Sequence, residues 1–497
     1  MLKYKIFLMT AICFFLFAKT YSAPIHPHLS WDELNGSSTT MVVTWKTLSD
    51  TSPSRVKYGI TTGNYTNTKD GSSFNSSACG YYIHTVKVIG LDPDTLYYYR
   101  CGNDTDGWSP ESTFKTAPAK GSSQRVRFVA ASDTHTDYLN DVQTVLNSIK
   151  TQSPDLMILD GDAVTDGGSQ SDWNSWFDIY TSLISSTPFF YCDSNHNYSA
   201  QNVWDQFVFP QNSNGDEKWY SFNYGNIHFI FLQVINPTAQ VAVGSEQYNW
   251  LQADLIAADN DPLIKWKFVI YHGNTYAEGA YARNTYVRDT ICKLFDQYDV
   301  DMVFNGHYHI YERSKKMRNR VTTDEIMEDG PNYQDSIEGV VYVIPGRAGG
   351  APYNPSTSFY TAFNRKGLHY AVVDIEGNLL TLKGYTENGV VIDSCTITCS
   401  EASDETPPTV PEAVTYLISG TAKTSGNSGI TGVALTLTGT STGTQTTWLT
   451  GTYTFGNLIS GTYTITSSKS GYTFTPANRV YTSLNADQTN QDFTGSV

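Results

Sequence analysis

At 497 residues the chain is too long for one hydrophobic core, and two or three domains are expected. Hydrophobic content of 40% with 13% aromatics excludes a disordered chain, while charged residues make up only 16%. The net charge of −16, with no basic stripe to offset it, would be repelled by phosphate backbones and excludes nucleic-acid binding as the main role.

The first 22 residues read as a secretory signal: Lys3 and Lys5, the apolar run Ile6–Ala18, then Thr20 and Ser22 as small residues at a cleavage site. The apolar run is shorter than the roughly 20 residues a membrane anchor needs, and no later segment is long enough to span. The expected location is therefore secreted, extracellular or associated with the cell surface. Export permits disulfides, and by proximity Cys79 with Cys101 and Cys395 with Cys399 are the expected pairs. Cys192 and Cys292 read as small buried apolar groups.

Residues 24–118 read as an all-β unit. The alternating runs Met41–Trp45, Arg55–Tyr58, Tyr82–Ile89 and Leu96–Cys101 are separated by Gly, Asn, Asp and Pro turns, and a fibronectin type III-like sandwich is the simplest fit. Residues 117–123 (APAKGSS) read as a linker.

Residues 125–398 alternate strand and helix. Five short apolar runs each end in a side chain suited to holding a metal ion: RVRFVAAS before Asp133, DLMILDG before Asp162, TPFFYCDS before Asn195, WKFVIY before His272 and DMVFNG before His307. Such runs read as buried strands, and ligands gather beyond the carboxyl ends of strands in sheets of this kind. His135 and His309, two residues past the first and last of these positions, complete a set of seven. Between them, Leu139, Val142, Val145, Leu146 and Ile149 have the spacing of one helix face, as do Tyr248, Leu251 and Leu255; both stripes are ordinary core. Residues 401–412 are Pro-rich and acidic, an extended spacer. Residues 413–497, rich in Thr, Ser and Gly with short alternating runs, read as a second β-sandwich without a cluster of titratable groups.

Taken singly the motifs have bland readings. Asp133 after a strand is a helix cap, Gly161-Asp162 a turn, and His272 a structural histidine. Jointly, hard oxygen ligands with imidazoles suit Zn, Mn or Fe rather than Ca. Seven ligands exceed what one tetrahedral ion takes, which points to two metals sharing a carboxylate such as Asp162 and acting on phosphate or acyl centres.

The order DTH (133–135), GD (161–162), NH (195–196), His272 and GHYH (306–309) resembles the calcineurin-like metallophosphoesterase superfamily. GHYHIYER (306–313), GVVYVIPGRAGG (339–350) and GLHYAVVDIEGNLL (367–380) are closer still to its purple acid phosphatase branch, and residues 84–102 resemble that branch's amino-terminal domain. The last 85 residues resemble a carboxypeptidase regulatory-like sandwich. The resemblance implies an α/β fold, a four-layer αββα-type core flanked by two all-β sandwiches. It implies that Asp133, His135, Asp162 and His309 bind one metal and Asp162, Asn195, His272 and His307 the other, two divalent or mixed-valence ions (Fe, Zn or Mn). His196 would lie beside the phosphate as the catalytic acid or as a donor to the transition state.

The chain departs from that branch at three places. Where the branch has glycine and tyrosine, this chain has His135 and Thr165, so the purple ferric-tyrosinate colour is not expected. The usual GNH followed by an acid is here Ser194-Asn195-His196-Asn197, which loses a glycine and a carboxylate beside the histidine. His272 is followed by Gly273-Asn274, where proline is common.

The expected function is a secreted, acid phosphatase-like hydrolase of phosphate monoesters, with a hydroxide bridging two metals as nucleophile. The alternatives are a phosphodiesterase or nucleotide hydrolase and a catalytically impaired secreted binding protein. Asn195, His196, Tyr276, Arg347 and Asn354 are expected near a small phosphorylated substrate. The carboxy-terminal sandwich is expected to mediate surface, carbohydrate or protein attachment.

Overall fold

In the computed structural model, residues 23–197, 200–212, 215–277, 284–319, 324–399, 416–440, 442–447, 450–458 and 461–496 are described. The expected amino-terminal signal and the expected 401–412 spacer lie outside them. The chain divides into two units, Met1–Glu401 and Ala402–Val497.

The apolar runs of the first unit become strands because both of their faces are covered. Val126–Ala131, Leu156–Leu159 and Phe189–Tyr191 pair in parallel, with Phe128 opposite Leu156 and Met157 opposite Phe189. Antiparallel strands His369–Glu376, Leu379–Thr386 and Val391–Thr398 extend this sheet. A second sheet holds Ile227–Phe231, Trp266–Tyr271, Met302–Asn305 and Val340–Pro345, again parallel. Every residue of Leu156–Leu159 and of Trp266–Tyr271 is buried, which is why these strands are apolar almost throughout rather than alternating, with Lys267 paired to Asp259.

Alternation decides how the layers stack. Phe229, Phe268 and Phe304 point to one face of the second sheet and meet Phe128 of the first edge-on, at ring separations of 5.2, 5.0 and 5.8 Å. The intervening residues Ile230, Val269 and Val303 point the other way and pack with Leu251 and Leu255 of helix Glu246–Asp259 and with Phe295 of helix Ile291–Gln297. Helices Leu139–Thr151 and Gln170–Ile184 belong to the first sheet's side of the core. The layering is helix, sheet, sheet, helix. Val142, Val145, Leu146 and Ile149 are buried as the stripe requires. Ser169 and Ser245 cap the longer helices by accepting the N–H of Asp172 and Tyr248.

Residues 25–115 form two antiparallel sheets, but they are not a bead on a string. Trp31 is fully buried and stacks on Phe190 at 5.3 Å, with Phe222 and Tyr224 beside it. The Tyr99 hydroxyl donates to Ser185 O at 2.7 Å. The 117–123 segment, expected to be a free linker, is tied down: the Ala117 N–H donates to Ser37 O and that of Gly121 to Gly225 O.

The second unit is a pair of four-stranded sheets closed on Ile418, Val433, Leu435, Tyr463, Ile465 and Phe493. Among the described residues no helix is long and apolar enough to cross a membrane.

The expected disulfides are not formed; all six described cysteines are free and buried. Cys395 and Cys399 are four residues apart on an extended segment, a span of about 13 Å by strand rise, against the 4.4–6.8 Å between Cα atoms that a disulfide bridges. Cys101 sits opposite Val56 in one sheet, while the Cys79 Sγ faces Asn202 O. Cys192 and Cys292 are buried as expected.

Candidate metal centre

The five runs end together. Asp133 and His135 follow Val126–Ala131, Asp162 follows Leu156–Leu159, and Asn195 and His196 open a 3-10 turn after Phe189–Tyr191. His272 follows Trp266–Tyr271, and His307 and His309 follow Met302–Asn305. Three groups of these residues bring ligand atoms within 4.8 Å of one another: Asp133, His135 and His309; His135, Asp162 and His196; Asp162, His272 and His307. Asp162 belongs to two of them, the position of a shared carboxylate.

Turning so many side chains inward strains the backbone. Asp133, His135, Asp162 and His307 have φ of 52, 48, 48 and 69°. Non-glycine residues avoid this left-handed region at a cost of about 1–3 kcal/mol each, and such strain collects at functional sites. Gly306 serves a different need, since a side chain there would collide with Ser132 Oγ and Asp160 O.

Backbone carbonyls orient the rings. His272 Nδ1 faces Asp160 O at 2.7 Å, His309 Nδ1 faces Ala351 O at 2.6 Å, and His196 Nδ1 faces Thr165 O at 2.6 Å. A carbonyl only accepts, so each Nδ1 carries the hydrogen and each Nε2 is left to point into the cluster. There, His272 Nε2 lies 3.1 Å from Asp162 Oδ2 and His309 Nε2 3.3 Å from Asp133 Oδ1. His135 and His196 Nε2 lie 3.7 and 3.9 Å from Asp162 Oδ2. The His307 N–H donates to both Asp133 oxygens, at 3.2 and 3.1 Å.

The electrostatics suit cations. Burial pushes Asp133 and Asp162 up, but the surrounding histidines outweigh it and hold both carboxyls low, Asp133 at about 2. Burial lowers His272, yet the Asp162 carboxylate raises it to about 9, while burial takes His307 down to about 4. Nε2 of His135, Nε2 of His272 and Oδ1 of Asn195 are buried and make no hydrogen bond. Buried nitrogen and oxygen atoms without hydrogen-bond partners, beside two carboxylates, form a donor set that a cation would satisfy. The residues present therefore fit divalent metal ions.

Three side chains expected near substrate are engaged within the protein. Tyr276 is buried in the second core, packed on Tyr342 and Tyr360, with its hydroxyl donated to Asn319 Oδ1 at 2.8 Å. The Arg347 guanidinium donates to the carbonyls of Gly349 and Gly350 and lies 3.5 Å from Asp141 Oδ2, so it braces the loop behind His309. Asn354 is exposed and its Oδ1 accepts from Lys366 at 2.8 Å. Sequence reasoning missed Tyr353, whose ring lies 4.8 Å from that of His309. It also missed the orienting carbonyls, which no side-chain pattern encodes.

Residues 24–116 match the family described as Purple acid Phosphatase, N-terminal domain, and residues 126–311 match Calcineurin-like phosphoesterase. Purple acid phosphatase 18 of Arabidopsis thaliana is 30% identical over 316 residues, covering 61% of this chain and 68% of that protein. The chain belongs to the purple acid phosphatase family. Purple acid phosphatase 15 of the same plant is 32% identical over 287 residues, 50% of this chain and 52% of that protein, so the chain spans about half of that relative's length. The structure of a purple acid phosphatase from yellow lupin (Lupinus luteus) seeds shares the fold with a TM-score of 0.65 at 21% identity, over 76% of this chain and 75% of that one. Against this family's pattern, position 165 is threonine, half-buried, with its Oγ1 accepting the Asp137 N–H. Residues 415–494 match BOS complex subunit NOMO1-like, second beta sandwich domain. The sandwich expected there holds, with that description in place of the carboxypeptidase regulatory-like one.

Proposed function

We propose that the chain is an exported, metal-dependent phosphoesterase that hydrolyses phosphate monoesters. The observation that carries this reading is the convergence of two carboxylates and five histidines, with buried ring and amide atoms of His135, His272 and Asn195 left without hydrogen-bond partners. Export is supported by the Lys3, Lys5 and Ile6–Ala18 pattern.

Asp133, His135, Asp162 and His309 would hold one cation, and Asp162, Asn195, His272 and His307 the other. When bound, such a pair neutralises charge on the phosphate and draws a nucleophile from water at neutral pH. His196 is the residue left to meet the substrate. Its side chain is 28% exposed, against 7% for His135, 2% for His272 and 10% for His309. With Nδ1 committed to Thr165 O, a protonated His196 presents Nε2–H to the leaving oxygen. With Oδ1 of Asn195 turned to a cation, its Nδ2 is available to a phosphate oxygen.

The test is phosphate release from p-nitrophenyl phosphate. Activity should vanish on chelation and return with Zn2+, Mn2+ or Fe2+. His307→Ala should lower kcat/KM on the order of a thousandfold, the several kcal/mol a Lewis-acid ion supplies. Full activity in His307→Ala refutes the site. Stoichiometric metal with no turnover of any phosphate ester would make the chain an impaired binding protein instead.

A further inference from the structure

The substituted segment Ser194-Asn195-His196-Asn197 is built into a buried hydrogen-bonded chain that ends on the shared carboxylate's own backbone. Ser194 Oγ accepts the Asp162 N–H at 2.9 Å. The Tyr191 hydroxyl lies 3.2 Å from Ser194 Oγ and donates to Asn197 Oδ1 at 2.6 Å. Having one hydrogen, it must accept from Ser194. Asn197 Nδ2 then donates to Asp193 Oδ1 at 2.5 Å, an oxygen that also takes the Ser194 N–H at 3.0 Å. Asp193 Oδ2 accepts Gln233 Nε2 at 2.5 Å, and Gln233 is held at both backbone groups by Gln247 of helix Glu246–Asp259. Tyr191, Asp193, Ser194 and Asn197 are each at most 1% exposed.

Every link has one allowed direction, and the chain needs these residue types. Glycine at 194 would leave the Asp162 N–H without its acceptor. An ionised acid at 197 accepts from Tyr191 but has no hydrogen to give Asp193, and would set two carboxylates together. The Asn197 amide both accepts and donates there. The Asp162 N–H and the Asn195–His196 turn are thus fixed from opposite ends of the same chain of bonds. The Asp162 carboxylate accepts the His196 N–H at 3.2 Å, which closes the loop.

We propose that Tyr191, Asp193, Ser194 and Asn197 are positioning residues that fix the Asp162 carboxylate and the Asn195–His196 turn for cation binding, taking over from the glycine and acid of the family pattern. The proposal rests on the metal-site reading above, but its test does not need turnover. Zn2+ affinity of the chelator-stripped protein is measured by competition with a chromogenic chelator, alongside kcat and KM on p-nitrophenyl phosphate. Ser194→Ala, Tyr191→Phe and Asn197→Asp should each weaken the weaker Zn2+ site about 10–100-fold and lower kcat with KM held, as loss of outer-shell support does. The Ser194→Ala/Tyr191→Phe double variant should lose no more than the worse single one, because both cut the same chain. Wild-type Zn2+ affinity in the folded single variants, or losses that multiply in the double variant, overturns the proposal. Should Ser194→Ala fail to fold, Tyr191→Phe, which keeps the ring and removes only the hydroxyl, decides alone. A wild-type protein that binds Zn2+ without turning over ester defeats the functional reading, and the affinities still decide the network.

Discussion

The two small sandwiches of this chain have the same kind of sheets and opposite dependence on their surroundings. The amino-terminal one puts Leu29, Trp31, Val43, Tyr99 and Phe114 into the same apolar cluster as Phe190, Trp176 and Phe128 of the phosphoesterase core. It even buries a lysine there: Lys46 Nζ donates to Gln206 Oε1 at 2.9 Å and lies 4.1 Å over the Phe177 ring. The carboxy-terminal sandwich closes on its own residues, Ile418 through Phe493. The second sandwich has a core of its own, whereas the first shares its core with the strands that carry the site. Trp31 and Phe190 illustrate the link, because Phe190 lies on the strand that leads into Asn195 and His196.

The largest expected effect breaks this comparison at its core. Trp31→Ala should destabilise the Met1–Glu401 unit by about 3–5 kcal/mol, the usual cost of deleting a buried aromatic. Heat inactivation of the proposed phosphatase activity should move down with that transition. Phe493→Ala removes an aromatic as fully buried and should cost its own sandwich a similar amount. Heat inactivation should not follow. Differential scanning calorimetry with activity assays of heated aliquots checks both, and inactivation that tracks the Phe493→Ala transition would show that the second core is not private.

The next effect is set by pH. His84 is buried and stacked 5.1 Å from Trp45. Thr47 Oγ1 donates to Ser49 O and so accepts from His84 Nε2 at 2.7 Å, leaving Nδ1 to accept from Ser54 at 2.8 Å. Both ring nitrogens are satisfied by the neutral form, and burial takes the ring down to about 4. The native state therefore refuses a proton that the unfolded chain takes up below about 6.5. The stability contributed by neutral His84 is complete above pH 6.5 and lost as pH falls towards 4. By linkage, the gap between wild type and His84→Gln should shrink by roughly 3 kcal/mol between pH 7 and pH 4. Residues 402–497 contain no histidine, so the second transition should show no such change in slope. Urea melts of both proteins across that range measure it, and a constant gap would mean that His84 takes up its proton as readily in the fold as in the unfolded chain.

The centre of this molecule was legible because one-dimensional pattern and three-dimensional placement coincide at strand ends. An apolar run dictates a buried strand, and the residue after it must leave the sheet at the carboxyl edge, so Asp133, Asp162, Asn195, His272 and His307 meet without any knowledge of the turns. Residues further along loops escape that rule. Tyr276 and Arg347 are expected near substrate because loops at strand ends build such pockets, but loop direction is fixed by tertiary contacts: the Tyr276 ring packs in the second core and the Arg347 guanidinium donates to its own loop's backbone. Cysteine spacing failed for a related reason, since nearness along an extended strand is distance in space. The Ser194 and Asn197 departures were visible in the sequence as losses. Their partners Tyr191 and Asp193 were visible too, but only coordinates reveal that the hydrogen-bond directions agree.

The smallest expected effect sharpens the comparison most. All eight residues of the proposed site lie between Asp133 and His309, and every metal-capable cluster among the described residues falls within that stretch. The second unit supplies none of them, and its polar surface is mainly Thr, Ser and Gly, which titrate nowhere near neutrality. A chain ending at Glu401 should therefore keep kcat within about twofold, because no side chain that holds a cation or a proton is removed and the first unit keeps its own core. Its melting transition should coincide with the first transition of the full chain. A tenfold fall in kcat with that transition unmoved would place part of the working site in the sandwich, and a lowered transition would show that the accessory also stabilises the enzyme.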